Sequence, residues 1–341
     1  MNSLIPAISA IIGFIFTAVI GYIFIPFLRK LHFGQTILEI GPKWHKSKQG
    51  TPIMGGLMFI CGMLVAIVCG YILATVIPGN ERLITEITVS RQRLVQLIAG
   101  IMLALLMSFI GFMDDYIKAV KKQNLGLKAS QKTFLQLLVS VAYLYTMFLG
   151  GMRTTVLPFF GEIDITSGFG LLFWPIALVF IYGFTNAVNL TDGVDGLASS
   201  VTVVVSLFFM CAASSLYLCG YSLVAASLAG ALVGFLVWNM HPAKVFMGDT
   251  GSMFLGGIVV AFAFAINRPV LLFFAGILYL CEAMSVVIQV SYYKRTKKRI
   301  FKMSPIHHHF EMSGWSENKI VVVFSLVALI GCVIAGLLMF V

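Results

Sequence analysis

Charge is what this chain has least of: Asp, Glu, Lys and Arg make up 11% of its 341 residues, while 60% are hydrophobic. No soluble surface is built from so few charges, so the solvent around most of the chain is lipid. Long polar sequence is missing too. No segment has the length and composition of a soluble domain, and no repeat or low-complexity tract interrupts the pattern, so residues 1–341 read as a single polytopic membrane domain. The six cysteines (Cys61, Cys69, Cys211, Cys219, Cys281 and Cys332) all fall inside apolar runs and none forms a CxxC pair. That argues against zinc and against a disulfide framework, and leaves them as packing residues.

The net charge of +10 raises the question of nucleic acid. Such binding needs a basic face on a soluble domain, whereas these cations flank lipid spans, so no nucleic-acid partner is expected. Attraction to anionic headgroups and phosphorylated substrates accounts for the same charges.

What the chain does have is apolar runs of spanning length, at 4–28, 52–77, 94–113, 133–150, 171–190, 198–218, 221–238, 252–266, 270–293 and 320–340. The expectation is an all-α integral membrane protein of about ten transmembrane helices. The least secure boundary lies at Gly220, so nine or eleven spans are the alternatives. The first run is too long for a signal-peptide core and residues 1–6 carry no Lys or Arg, so it reads as an uncleaved span.

The 23 Lys and Arg fall in the connections and concentrate in the first, third and ninth. Positive charge is retained in cytoplasmic loops, so odd connections are assigned to the cytoplasm and both termini to the outside. The external segment 154–168 (TTVLPFFGEIDITSG) suits a short β-hairpin and carries no chemistry. The long cytoplasmic segments 29–50 and 294–319 are expected to frame an active-site cleft. Within the second, the run Lys294, Arg295, Lys297, Lys298 and Arg299 reads equally as a stop-transfer anchor or a substrate contact.

Aspartate beside a membrane is costly, so its placement is informative. Asp114 and Asp115 end the third span, Asp192 and Asp195 follow the fifth, and Asp249 precedes the eighth. Taken singly, Asp249 could cap a helix and Asp195 could serve a turn. All five emerge on the cytoplasmic side, which points to one shared site. Clustered carboxylates repel one another unless a cation is present, and oxygen donors without cysteine select a hard ion, with magnesium the natural candidate. Magnesium is usually held by one or two carboxylates plus substrate phosphates, so the five must divide the work.

Helical spacing puts Asp114 or Asp115 on a face with Lys118, and sets Asn186, Asn189 and Asp192 at intervals of three. Lys48, Lys118, Lys128, Lys132 and Lys244 add cations suited to a phosphate-bearing substrate. Of the consecutive His307, His308 and His309, at most two can face one substrate. Hydrogen bonding to phosphate is the favoured role, with His45, His241 and Glu311 keeping a zinc alternative open. Glu282, the one acid deep in a span, reads as a buried structural pair or helix break ahead of a proton relay.

Residues 48–56 (KQGTPIMGG), 114–116 (DDY), 186–196 (NAVNLTDGVDG), 246–252 (FMGDTGS) and 305–311 (PIHHHFE), in this order and span context, resemble the polyprenyl-phosphate N-acetylhexosamine-1-phosphate transferase superfamily over nearly the whole chain. PIHHHFE and the TPxMGG stretch look like its muramoyl-pentapeptide branch, although Ile53 stands where that branch usually has Thr. The resemblance implies transfer of phospho-N-acetylmuramoyl-pentapeptide from its UDP carrier to undecaprenyl phosphate, giving lipid I and UMP in peptidoglycan synthesis. It also implies Mg2+, a cytoplasmic active site in the bacterial plasma membrane, a homodimer, and binding of nucleoside antibiotics such as tunicamycin.

By matched position, Asp249 is the expected magnesium ligand, and Asp114 and Asp115 the catalytic pair. Asp192, Asp195, Asn239 and Phe246 shape the nucleotide site; Lys48, Asn189, His307 and His308 contact substrate, with Lys118 and Lys132 beside them. The alternatives are a UDP-N-acetylglucosamine transferase of the same superfamily, a transporter or flippase, and a structural envelope protein. Direct attack by the lipid phosphate and a covalent aspartyl intermediate both remain open at this stage.

Overall fold

The structure is a computed structural model that describes residues 4–31, 48, 50–121 and 126–341. Most of the first cytoplasmic segment, with His45, lies outside the described residues. The helices are α1 (Leu4–Lys30), α2 (Gly56–Val76), α3 (Glu81–Thr88), α4 (Arg91–Lys121), α5 (Ala129–Leu149), α6 (Phe173–Thr191), α7 (Leu197–Ser215), α8 (Cys219–Asn239), α9 (Gly248–Ala265), α10 (Leu272–Ala275), α11 (Ile277–Thr296), α12 (Ile306–Glu311) and α13 (Glu317–Leu338).

Among the described residues nine helices are long and apolar enough to cross a membrane, and a tenth span is formed if α10 and α11 are taken as one bent element. The ninth apolar run of the sequence is thus folded as two helical pieces that meet at a 79° break. Gly276 sits at the break and supplies its cause, a residue that stabilises helix poorly and leaves no side chain at the corner. The short α3, hidden in a charged connection, is an addition to the expected helices. Its Glu86 accepts from the backbone N–H of Gly220, 2.8 Å away, and so ties α3 to the first turn of α8.

Side chains on α1, α5 and α13 point outward along much of their length, as lipid-facing residues do, whereas α8 and α9 are buried on nearly every face. Their sequences explain this. Both are dense in Gly, Ala and Ser, which lets neighbouring backbones approach where lipid offers no hydrophobic drive for association. Between α4 and α9 the approach is closest at Gly111, where a Cβ would lie 2.1 Å from the backbone oxygen of Asp249. The Ser108 hydroxyl donates to the Thr250 carbonyl at 2.9 Å across the same seam.

The expected hairpin is present. Strands β1 (Thr154–Leu157) and β2 (Gly161–Asp164) pair antiparallel with Thr154 opposite Asp164. The Val156 N–H donates to Asn267 O at 2.9 Å, seating the hairpin on the segment after α9. At the other end of the bundle, the end of α4, the starts of α5, α9 and α13, and the α6–α7 and α8–α9 connections converge.

Candidate active site

Asp114 and Asp115 are adjacent in sequence but do different things, because successive helical side chains diverge by about 100°. Asp114 turns toward Lys118, one turn on, with 2.5 Å between carboxylate and ammonium, and accepts from the Leu127 N–H at 2.7 Å. Asp115 turns into the bundle and serves the start of α9. Its oxygens accept from the N–H of Asp249 at 3.2 Å, and from the N–H and hydroxyl of Thr250 at 2.9 and 2.7 Å. A buried helix start leaves orphan N–H groups, and Asp115 satisfies them from another helix.

Asp249, thereby fixed in the first turn of α9, is the hub. Lys132 of α5 and Lys118 of α4 reach its Oδ2 at 2.9 and 3.2 Å, and the Asn189 amide of α6 donates to Oδ1 at 2.9 Å. The same amide nitrogen lies 2.7 Å from the Ser252 hydroxyl. Oxygen atoms of Asp114, Asp115 and Asp249 all lie within 4.8 Å of one another. The donors are carboxylates with no thiol or imidazole, which fits a hard divalent cation. All three carboxylates already accept from protein donors, Asp115 from the α9 backbone and Asp114 and Asp249 chiefly from side chains that a cation could displace.

A second cluster stands beside the first. The Lys48 ammonium lies 2.7 Å from both Asp195 Oδ1 and Glu317 Oε2. His241 Nδ1 and the Ala243 N–H meet Asp195 Oδ2 at 3.1 and 3.0 Å. Asp192, at the end of α6, feels the charges of both clusters. Burial, and then repulsion from Asp249, Asp115 and Asp195, push its carboxyl up to about 8, with Lys48 opposing the shift.

Asn239 and Phe246 build the wall of this side. The Asn239 amide donates to Val245 O at 3.0 Å and accepts from Ser199, closing the α8–α9 connection. Phe246 pairs its backbone with Pro52 and Gly55 at 2.9 and 2.8 Å, pinning the TPIMGG segment against FMGDTGS. Ile53 is buried in that segment, so it supplies apolar contact where a hydroxyl would offer a hydrogen bond.

The three histidines diverge. His307 is fully buried with Nδ1 3.0 Å from Glu282, His308 Nδ1 meets Glu311 at 2.6 Å, and His309 Nδ1 accepts from the Lys302 N–H. Glu282 is therefore a buried pair, the structural reading of its sequence position. His307 packs on the aspartate loop itself: a Cβ on Gly193 would lie 2.1 Å from its Nε2.

One expectation needs correction. Asn186 does not join Asn189 at the site; its amide donates to Gln136 and to the Tyr182 carbonyl, so it ties α6 to α5 within the bundle. Lys128 stands at the start of α5, its backbone N–H donating to Gln131 at 3.1 Å, and the Lys244 ammonium lies over the Trp238 ring. Sequence reading missed Glu317, which holds Lys48 and the Asp195 N–H, and gave His241 only as a zinc alternative.

Fold and site together define a multi-pass membrane enzyme whose carboxylates, amides and lysines gather at one end of the helix bundle. The family model described as Glycosyl transferase family 4 matches residues 97–267, which include Asp114, Asp115, Asp192, Asp195 and Asp249. A protein of Clostridium beijerinckii named phospho-N-acetylmuramoyl-pentapeptide-transferase is 44% identical over 95% of this chain and 93% of its own length. Proteins of the same name from Clostridioides difficile and Carboxydothermus hydrogenoformans are each 44% identical, covering 94% and 93% of this chain and 94% and 93% of their own lengths. The chain belongs to glycosyl transferase family 4, among its phospho-N-acetylmuramoyl-pentapeptide transferases.

Proposed function

We propose that this protein transfers phospho-N-acetylmuramoyl-pentapeptide from UDP to undecaprenyl phosphate at the cytoplasmic face of the bacterial plasma membrane, releasing UMP and forming lipid I, with residues 1–341 acting as one domain. The observation that carries the chemistry is Asp249, held between two lysines and an amide from three different helices. A diphosphate needs such a mixture, because its transfer demands charge neutralisation and in-line placement more than covalent help.

An oxygen of the lipid phosphate attacks the sugar-linked phosphorus, the bond from that phosphorus to the bridging oxygen breaks, and UMP departs with the electron pair. Lys118 and Lys132 neutralise the phosphates, and Asn189 orients Asp249. Asp114 accepts any remaining proton; with a second phosphate pKa of about 6 the nucleophile is largely ionised already, so this base contributes modestly. Magnesium, held by Asp249 with Asp114 beside it, would draw charge from the diphosphate. Direct attack is favoured over an aspartyl intermediate because Asp114 and Asp115 are each committed to several fixed donors. Lys48, Asp192, Asp195, Asn239 and Phe246 form the nucleotide side, where nucleoside antibiotics such as tunicamycin would compete. His307, whose buried Nε2 has no partner among the described residues, and His308 are assigned to the sugar phosphate, and the protein works as a homodimer.

The purified protein should release UMP from UDP-MurNAc-pentapeptide only when polyprenyl phosphate and magnesium are both supplied. Release without the lipid would overturn the one-step reaction, and preference for UDP-N-acetylglucosamine would move the chain to the sister activity.

Glu282→Gln should lower kcat about tenfold with little change in KM for the nucleotide, a loss typical of weakened positioning of an acid–base or phosphate-binding group. The Glu282 carboxyl oxygen, 3.0 Å from His307 Nδ1, is placed to accept its proton and fix the tautomer, whereas an amide can present either a donor or an acceptor. Steady-state kinetics at several pH values checks this.

Asp192 gives a pH prediction. Its neutral form is favoured in the folded protein, so the stability it contributes is present at low pH and lost as pH rises from about 4 to about 8. Asp192→Asn escapes that loss. Its melting temperature relative to the native protein should rise through that window and level off above it, as thermal unfolding at pH 5, 7 and 9 would show.

A further inference from the structure

Glu317 belongs to none of the motifs in the sequence, yet its carboxylate joins three separate segments of the chain. Oε2 accepts from the Lys48 ammonium at 2.7 Å and from the Asp195 N–H at 3.0 Å, while Oε1 lies 3.3 Å from His241 Nδ1. These partners lie far from it in sequence, before α2, after α6 and after α8. The side chain is 9% exposed, so a carboxylate here must be matched by its partners to stay buried.

A local role does not explain it. An acid in the first turn of a helix usually serves that helix's own N-terminus, but Ser316 already caps α13, its hydroxyl accepting from the Lys319 N–H at 3.3 Å. Glu317 is turned away from its own helix and toward the two groups on which the nucleotide side depends. Lys48 sits between Glu317 and Asp195 at equal distances, so Asp195 alone would leave the ammonium free to swing about one carboxylate. Two acceptors fix it at a point.

We propose that Glu317 is a positioning residue for nucleotide binding, acting through Lys48. The inference rests on the transferase reading above. A residue that positions a ground-state contact changes KM more than kcat, and its effect vanishes once the group it positions is gone.

The test is a double-mutant cycle of Glu317→Gln and Lys48→Met in the full-length protein, reading KM for UDP-MurNAc-pentapeptide, KM for polyprenyl phosphate, and kcat. Glu317→Gln should raise the nucleotide KM about tenfold, with kcat changed less than about threefold and the lipid KM unchanged. In the Lys48→Met background the same substitution should add nothing further. An unchanged nucleotide KM, an equal effect on both substrates, or full additivity in the cycle overturns the proposal. If Glu317→Gln cannot be purified, Glu317→Asp takes its place in the cycle under the same criteria. A native protein that releases no UMP would instead overturn the transferase reading, which keeps the two failures apart.

Discussion

Replacing Asp249 by asparagine is expected to reduce UMP release by about a thousandfold or more, the scale of losing a metal-ion ligand at a phosphoryl-transfer centre. The side chain keeps its size, so membrane insertion and purification should be normal. What changes is charge: Lys118 and Lys132 lose the oxygen they share at 3.2 and 2.9 Å. Lys118 can fall back on Asp114, and Lys132 is part-exposed, so the stability cost stays near 1 kcal/mol. The variant should therefore separate activity from folding. UMP release across a magnesium titration, alongside thermal unfolding, checks this, and retained turnover would remove Asp249 from the reacting centre.

The spans, and the gathering of the acids at one end of the bundle, were legible because both follow from where the apolar runs begin and end. Apolar runs report lipid, and counting the connections between them puts all five aspartates at the same end. The bend at Gly276 was not legible, since an apolar run reads the same whether straight or broken. Asn186 and Asn189 differ by three positions on α6, a spacing that suggests one face, yet the first lies deep enough to meet Gln136 while the second reaches Asp249. Depth along the helix axis, not face, separates them. Glu317 was illegible because an acid after Trp315 and Ser316, just before an apolar run, has the pattern of an ordinary helix start. Only the tertiary structure brings Lys48 and Asp195 to it.

The adjacent aspartates give the sharpest contrast between a motif and its structure. Asp115→Ala should cost about 2–4 kcal/mol of stability, the scale of removing charge-assisted hydrogen bonds from a buried helix start, and at least about a hundredfold in turnover through the misplacement of Asp249. The reason is geometric. Asp115 holds the N–H groups of Asp249 and Thr250, and its loss leaves them unpaired at a site too crowded for water, where Gly111 already brings the α4 and α9 backbones together.

Asp114→Asn should behave otherwise. It retains an acceptor for the Leu127 N–H, so its melting temperature should stay close to the native value while turnover falls. Melting temperature and kcat measured on both variants distinguish the roles. Equal melting temperatures would mean that Asp115 is not holding α9, and that the pair acts as two like carboxylates on substrate. A selective loss of stability in Asp115→Ala would mean that one aspartate of the pair works on the reaction and the other on the helix that carries Asp249.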